Sequence, residues 1–170
     1  SDVYKRQVFD SETWQEVVTF ANHSNWVNDL AWSADGSRIV TGSKDHTAKV
    51  FDLTTNSRIS TYTGHDGGVY SVTFDETGEH VLSACSKGKV MYWKTESGQT
   101  VKELADQSES IYHIAALDSA EHFIFSGAMD SVEMIDLQSG ITDKEFTSKW
   151  NNLSLAVSND NQSLLTGDSQ

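Results

Sequence analysis

Two stretches of this chain, HSNWVNDLAWSADGSRIVTGSKDHTAKVFD (His23–Asp52) and HDGGVYSVTFDETGEHVLSACSKGKVMYWK (His65–Lys94), superpose without a gap. His23 falls on His65, Val27 on Val69, Gly36 on Gly78 and Phe51 on Trp93, every pair separated by the same interval. A third copy, SIYHIAALDSAEHFIFSGAMDSVEMIDL (Ser110–Leu137), keeps Ile111 and Asp136 one interval further on, with one insertion and one deletion between them. A fourth, LAVSNDNQSLLTGDSQ, starts at Leu155, and Phe9-Asp10 lies one interval before Phe51-Asp52. A period of this size, between about 40 and 45 residues, is a strong constraint. Self-similarity at such a fixed period means a repeat architecture.

Within a period the pattern is all β. Val27, Leu30 and Trp32, like Val69, Val72 and Phe74, suggest a strand; SADG and DETG make turns; RIVTGS and HVLSAC resume as strands. A polar turn, a strand ending in Phe51 or Trp93, a second turn (TTNS or ESG) and a fourth strand (RISTYT or TVKEL) complete the unit. Four short strands per period describe one blade of a β-propeller. No segment carries a convincing helical period, and no apolar run approaches the length that spans a bilayer.

The run His23, Asp45, Phe51-Asp52 and the run Gly64-His65, Trp93 resemble the WD40 repeat, with its glycine–histidine start, turn aspartate and tryptophan–aspartate end. The resemblance covers the chain from about Val8 to Gln170. It implies an all-β propeller of WD40 type with about three and a half four-stranded blades, an incomplete one, in repeats near 21–62, 63–104, 105–146 and a truncated 147–170. TYTGHDGGVYSVTF is similar to long bacterial WD40 proteins, some of them joined to c-type haem domains. That likeness implies an accessory propeller of a larger redox or other multidomain enzyme. No Cys-x-x-Cys-His occurs in these residues, so no cofactor is expected within them. At the other extreme, DVYKRQ (Asp2–Gln7) resembles the translated end of a transposon-type sequencing adaptor, so residues 1–7 are expected to be non-native.

The family resemblance implies a hydrogen-bonded set that links the histidine, the turn aspartate, a strand-two hydroxyl and the strand-three tryptophan. A buried aspartate stays ionised only among donors, which imidazole and backbone amides supply. In the first repeat Asp45 is expected to pair with His23, with Thr41 or Ser43 bridging to strand three, while Phe51 lacks the indole N–H. The second repeat keeps His65 and Trp93 but has Lys87 at the aspartate position. In the third, Asp130 is read as the turn aspartate, with Gln107 for histidine and Ile135 for tryptophan.

A net charge of −13 disfavours nucleic acid and steers basic partners toward the chain. The Asp, His and Ser residues of these repeats are explained by the repeat itself, which leaves no catalytic constellation, and no histidine spacing suits a metal. Cys85 is the only cysteine and reads as a small buried hydrophobe. The function expected is therefore that of a non-enzymatic scaffold for a protein or peptide. The resemblance implies contacts beside the start of strand one and just before the turn aspartate: Trp26, Asn28 and Lys44; Gly68, Tyr70 and Ser86; Ser110, Tyr112 and Met129. Exposed aromatics of this kind anchor interfaces. The remaining blades are expected from elsewhere in a longer chain. No compartment follows from these residues: cytoplasmic, or periplasmic where the haem-linked likeness holds.

Overall fold

The computed structural model describes residues 4–117, 121–147, 152–158, 160 and 162–168. Among them the chain is built from antiparallel strands and no helix. A two-stranded sheet of β1 (Arg6–Phe9) and β2 (Glu16–Phe20) comes first. It is followed by a four-stranded sheet of β3 (Val27–Trp32), β4 (Arg38–Ser43), β5 (Ala48–Asp52) and β6 (Ser57–Tyr62) in sequential order. The next blade holds β7 (Val69–Phe74), β8 (His80–Cys85), β9 (Lys89–Lys94) and β10 (Thr100–Asp106). The third holds β11 (Ile111–Leu117), β12 (His122–Gly127), β13 (Ser131–Asp136) and β14 (Thr142–Thr147), and β15 (Asn152–Val157) pairs with β16 (Leu164–Asp168). The result is an incomplete propeller of three whole sheets flanked by two half-sheets, the first of which, β1–β2, lies before the expected repeats.

The turns repeat as strictly as the strands. Every left-handed residue among the described ones lies at one of three turn positions: Gly36 and Gly78; His46 and Gly88; and Trp14, Asn56, Gly98 and Gly140. Within each set, successive members stand one period apart. In the first of these turns Gly36, at φ 70°, lets the chain reverse while the Asp35 carboxylate accepts from the Ser37 amide (3.0 Å) and from the hydroxyls of Ser33 and Ser37.

The second strands β4, β8 and β12 are buried from their second residue onward, because each is covered on both faces by neighbouring blades. They therefore read as nearly continuous apolar or small-residue runs, as strands without a solvent face must. One core packs Val40, Ala48 and Val50 of the first full blade against Val69, Val72, Phe74, Val81 and Trp93 of the second. Another packs Leu82, Ala84 and Val90 against Ile111, Ile114, Phe123 and Ile135 of the third. A smaller one joins Phe20 to Ile39 and Phe51, whose ring stacks on Phe20 at 4.5 Å.

At its start the array is open. Val72 and Phe74 are 3% and 4% exposed beneath the preceding blade, whereas Leu30 and Trp32, their counterparts one repeat earlier, are 53% and 50% exposed. The half-sheet β1–β2 matches the outer pair β5–β6, so it covers Ile39 and Phe51 and not the inner strand β3. Arg6 and Gln7, of the segment expected to be non-native, lie in β1 opposite Phe20 and Thr19, while residues 1–3 lie outside the described residues. The Arg6 guanidinium is 5.4 Å from the Phe51 ring centroid, and its Nε and Nη2 are buried without a hydrogen bond, a costly arrangement.

The inner strands are also joined by polar bonds. The Asp29 carboxylate on β3 accepts from the Ser71 hydroxyl (2.8 Å) and the Val72 amide (2.9 Å) on β7. Ser71 Oγ in turn accepts from the Ile114 amide of β11 at 3.3 Å, so one hydroxyl ties three blades together. Asn28 Nδ2 donates to Val69 O at 2.8 Å. Replacing Asp29 with alanine strands a buried hydroxyl and amide, so Asp29→Ala should destabilise by about 1–3 kcal/mol. Urea unfolding checks this; an unchanged midpoint would show that Asp29 does not hold the blades together.

Candidate functional site

In the first full blade the expected hydrogen-bonded set is present. His23 Nδ1 lies 2.8 Å from Asp45 Oδ2, and His23 Nε2 lies 2.8 Å from Thr41 Oγ1. The carboxylate is best served by an Nδ1–H, so Nε2 accepts from the Thr41 hydroxyl. Thr41 also lies 3.5 Å from the carbonyl of Lys49 on β5, the bridge to strand three. Asp45 accepts further from the Ser24 amide (3.0 Å), the Thr47 amide (3.0 Å) and the Thr47 hydroxyl (2.6 Å). Ser43 has a separate role: its hydroxyl donates to Asn25 O at 3.2 Å and accepts from the Asp45 amide at 3.1 Å. Burial alone would raise the Asp45 pKa, but the Thr47, Ser24 and His23 donors outweigh it and hold the group at about 2. Burial lowers His23 to about 4 against the opposing pull of Asp45.

The second blade holds half of this arrangement. Ser83 Oγ, the counterpart of Thr41, accepts from Trp93 Nε1 at 3.0 Å and meets His65 Nε2 at 2.7 Å. With Lys87 in place of the aspartate, His65 Nδ1 is buried without a partner. Burial again lowers the histidine, to about 4.

In the third blade the sequence alignment needs correction. Val69 pairs with Cys85 and Ile111 with Gly127, and both pairs keep the repeat offset, so the expected insertion and deletion are absent across these strands. Met129, not Asp130, then occupies the Asp45 position, and Asp130 falls on His46. Asp130 is exposed and makes no side-chain hydrogen bond among the described residues. Phe125 stands where Thr41 and Ser83 stand, and Ile135 where Phe51 and Trp93 do. Both are buried in the apolar core, with Met129 packed against it. The polar set has become a hydrophobic one, and Gln107 turns to Glu133 Oε1 at 3.1 Å.

Above these sets lies the rim of the top face. Each inner strand carries a register shift at its second residue: between Val27 and Asp29, between Val69 and Ser71, and between Ile111 and His113. The bulged residues are Asn28, Tyr70 and Tyr112, three of the expected contact residues. A bulge takes its residue out of the strand's alternation and re-aims the side chain. The Tyr70 and Tyr112 rings meet across two blades, 5.6 Å between centroids. Trp26 is 64% exposed, with Lys44 Nζ 5.5 Å from its ring centroid. Trp26 O accepts from Lys44 N (2.8 Å), Gly68 O from Ser86 N (2.9 Å) and Ser110 O from Ala128 N (2.8 Å). The third rim position is thus Ala128, and Met129 lies one residue beyond it, against the core. Ser110 Oγ donates to Ser86 O at 2.9 Å and ties the second rim loop to the third.

The family model for the WD domain, G-beta repeat, matches residues 14–52 and again residues 56–94. The chain carries WD40 repeats. No curated protein matches it. The two matched segments are offset by one sequence period and end at Asp52 and Lys94, the last residues of strands β5 and β9. Of the other chemical candidates, Cys85 is buried in β8, as expected of a small core residue. Asp75, which the sequence suggests only as a turn residue, is buried and accepts from the Thr77 hydroxyl (2.9 Å), from Tyr92 OH (3.2 Å) and from His80, whose Nδ1 is 3.0 Å away. Burial of the Tyr92 phenol, reinforced by the nearby Asp75 carboxylate, pushes its pKa upward. This WD40 blade is thus pinned at its lower hairpin as well.

Two consequences can be measured. Asp45→Ala should cost about 1–3 kcal/mol by removing the carboxylate that serves His23 Nδ1 and two amides, while Asp130→Ala should leave the unfolding midpoint unchanged; equal losses would contradict the register. His23 and His65 titrate near 4 when folded and near 6.5 when unfolded, so the unfolded chain binds more protons between those values. Their stabilising contribution is complete above pH 6.5 and is lost as pH falls toward 4. Urea midpoints should therefore drop from pH 7.5 to pH 5, and the drop should shrink in the His23→Gln, His65→Gln double variant; parallel pH profiles would refute the assignment.

Proposed function

We propose that this WD40 chain is a non-enzymatic scaffold that receives a protein or peptide partner on its top rim. The observation that carries the reading is the bulge. The same backbone irregularity presents Asn28, Tyr70 and Tyr112 from consecutive blades, beside the exposed Trp26. Large aromatics lose little rotamer entropy on binding and bury much area, which suits them to anchor a partner. Lys44, Ser86 and Ser110 frame the row, and Ala128 takes the place given to Met129 by sequence. The histidine–hydroxyl pairs below the rim, His23–Thr41 and His65–Ser83, are buried and committed to holding the blades, so they are not offered as catalysts.

The net charge of −13 favours encounter with a basic partner, as a whole-chain field. An accessory role beside a haem-bearing redox domain uses the same rim and would be decided by a Cys-x-x-Cys-His elsewhere in the same reading frame. Replacing Trp26, Tyr70 and Tyr112 together with alanine should abolish partner capture while the circular dichroism spectrum and unfolding midpoint stay close to wild type. Capture retained by that folded variant would move the binding surface off the rim.

A further inference from the structure

Two lysines lie at the rim of this acidic chain. Lys44 and Lys87 stand on either side of the backbone of Gly67 and Gly68. A Cβ built on Gly68 would lie 3.4 Å from Lys44 Cα and 3.6 Å from its Cγ, and one built on Gly67 would lie 2.8 Å from Lys87 Cγ. Neither lysine is ion-paired among the described residues; Lys44 faces the Trp26 ring and Lys87 is exposed. The neighbouring carboxylates are engaged elsewhere, Asp66 with Lys89 at 3.8 Å and Asp45 with His23. Two lysines without ion pairs thus stand beside a floor of two glycines, next to the Ser86 hydroxyl, on a chain of net charge −13.

The floor also offers donors. In the first blade the Trp26 amide is satisfied by Asn25 Oδ1 at 2.8 Å. The matching pair in the second blade is Gly67-Gly68, where no side chain can reach back. Both glycines are buried, and neither amide has an acceptor among the described residues. A buried amide without an acceptor is costly, and successive free amides beside cations are suited to an oxyanion.

We propose that the rim seats an anionic side chain of an acidic peptide segment on the Gly67–Gly68 amides, between Lys44 and Lys87. The proposal rests on the rim being the partner face, and it narrows the partner. However basic its body, it presents a carboxylate or phosphorylated residue at this notch, and Trp26 packs against the residue beside it. The whole-chain charge does not oppose this at contact range, because screening limits distant carboxylates to about 8 Å at physiological salt.

The test is a titration of the 15N-labelled chain with an acetylated, amidated oligoglutamate peptide, with an oligolysine peptide of the same length, and with inorganic phosphate. The oligoglutamate should shift the Gly67 and Gly68 amide resonances saturably, and oligolysine should leave them in place. In a Lys44→Ala, Lys87→Ala variant, shown to be folded by its remaining resonances, the peptide should bind at least about tenfold more weakly. Gly68→Asp, whose added Cβ meets only ordinary contacts, should block the notch in the same way. Unmoved glycine amides, equal affinity in the double-lysine variant, or a response to phosphate alone would each overturn the proposal. If the aromatic triple variant loses partner capture while the double-lysine variant keeps it, the rim reading stands and the anionic notch falls.

Discussion

Burial of each sheet between its two neighbours governs everything else in this molecule, because a four-stranded sheet whose second strand is RIVTGS, HVLSAC or HFIFSG has no face to give to water. Its apolar side chains are stabilised only when another blade lies on each side, at roughly 25 cal/mol for each Å² of apolar surface covered. The contrast between Val72 and Leu30 displays the rule within one chain. The two residues occupy the same position, one beneath a blade and one without, and only the first is removed from water. The polar ties between inner strands, from Asp29 through Ser71 to the Ile114 amide, add direction to a stacking force that has none.

The period, the four strands in each unit and the turns are legible in the sequence because each is written locally. A turn needs a residue that tolerates positive φ, and these turns recur at a fixed interval even where Trp14, His46 or Asn56 replaces glycine. Alternation and continuous apolar runs report burial directly. The His23–Asp45 pair is legible for a similar reason, since an ionised buried carboxylate demands donors and the repeat places a histidine within reach.

What escapes the sequence has one physical source. Residue identity alone sets the third repeat's alignment by matching Asp130 to Asp45 at the expense of a gap. Strand pairing admits no such gap, because a slip of one residue turns every side chain to the opposite face. Held in register, the third blade replaces carboxylate, hydroxyl and indole with Met129, Phe125 and Ile135. A buried polar network and an apolar plug of similar shape can stabilise comparably, provided that no member of the network is left unpaired. The bulges are hidden for a different reason. Neither the asparagine Asn28 nor the tyrosines Tyr70 and Tyr112 announce an irregular backbone, and only the pairing register exposes it.

The second blade falls between these two solutions, and that position joins stability to the rim. It keeps His65, Ser83 and Trp93 of the polar network but not its carboxylate, so one imidazole nitrogen stays buried and unmatched. Neither a complete network nor an apolar plug would carry that cost. The residue that causes it, Lys87, is exposed beside Gly67 at the rim and forms no ion pair among the described residues. An aspartate there would satisfy His65 and remove a cation from the top face; a methionine, as in the third blade, would pack inward. Lysine does neither. Local disagreements between sequence and fold concentrate where a surface serves something other than stability. Here the disagreement lies one loop away from Trp26 and Tyr70, at the point where an acidic chain turns a positive charge outward.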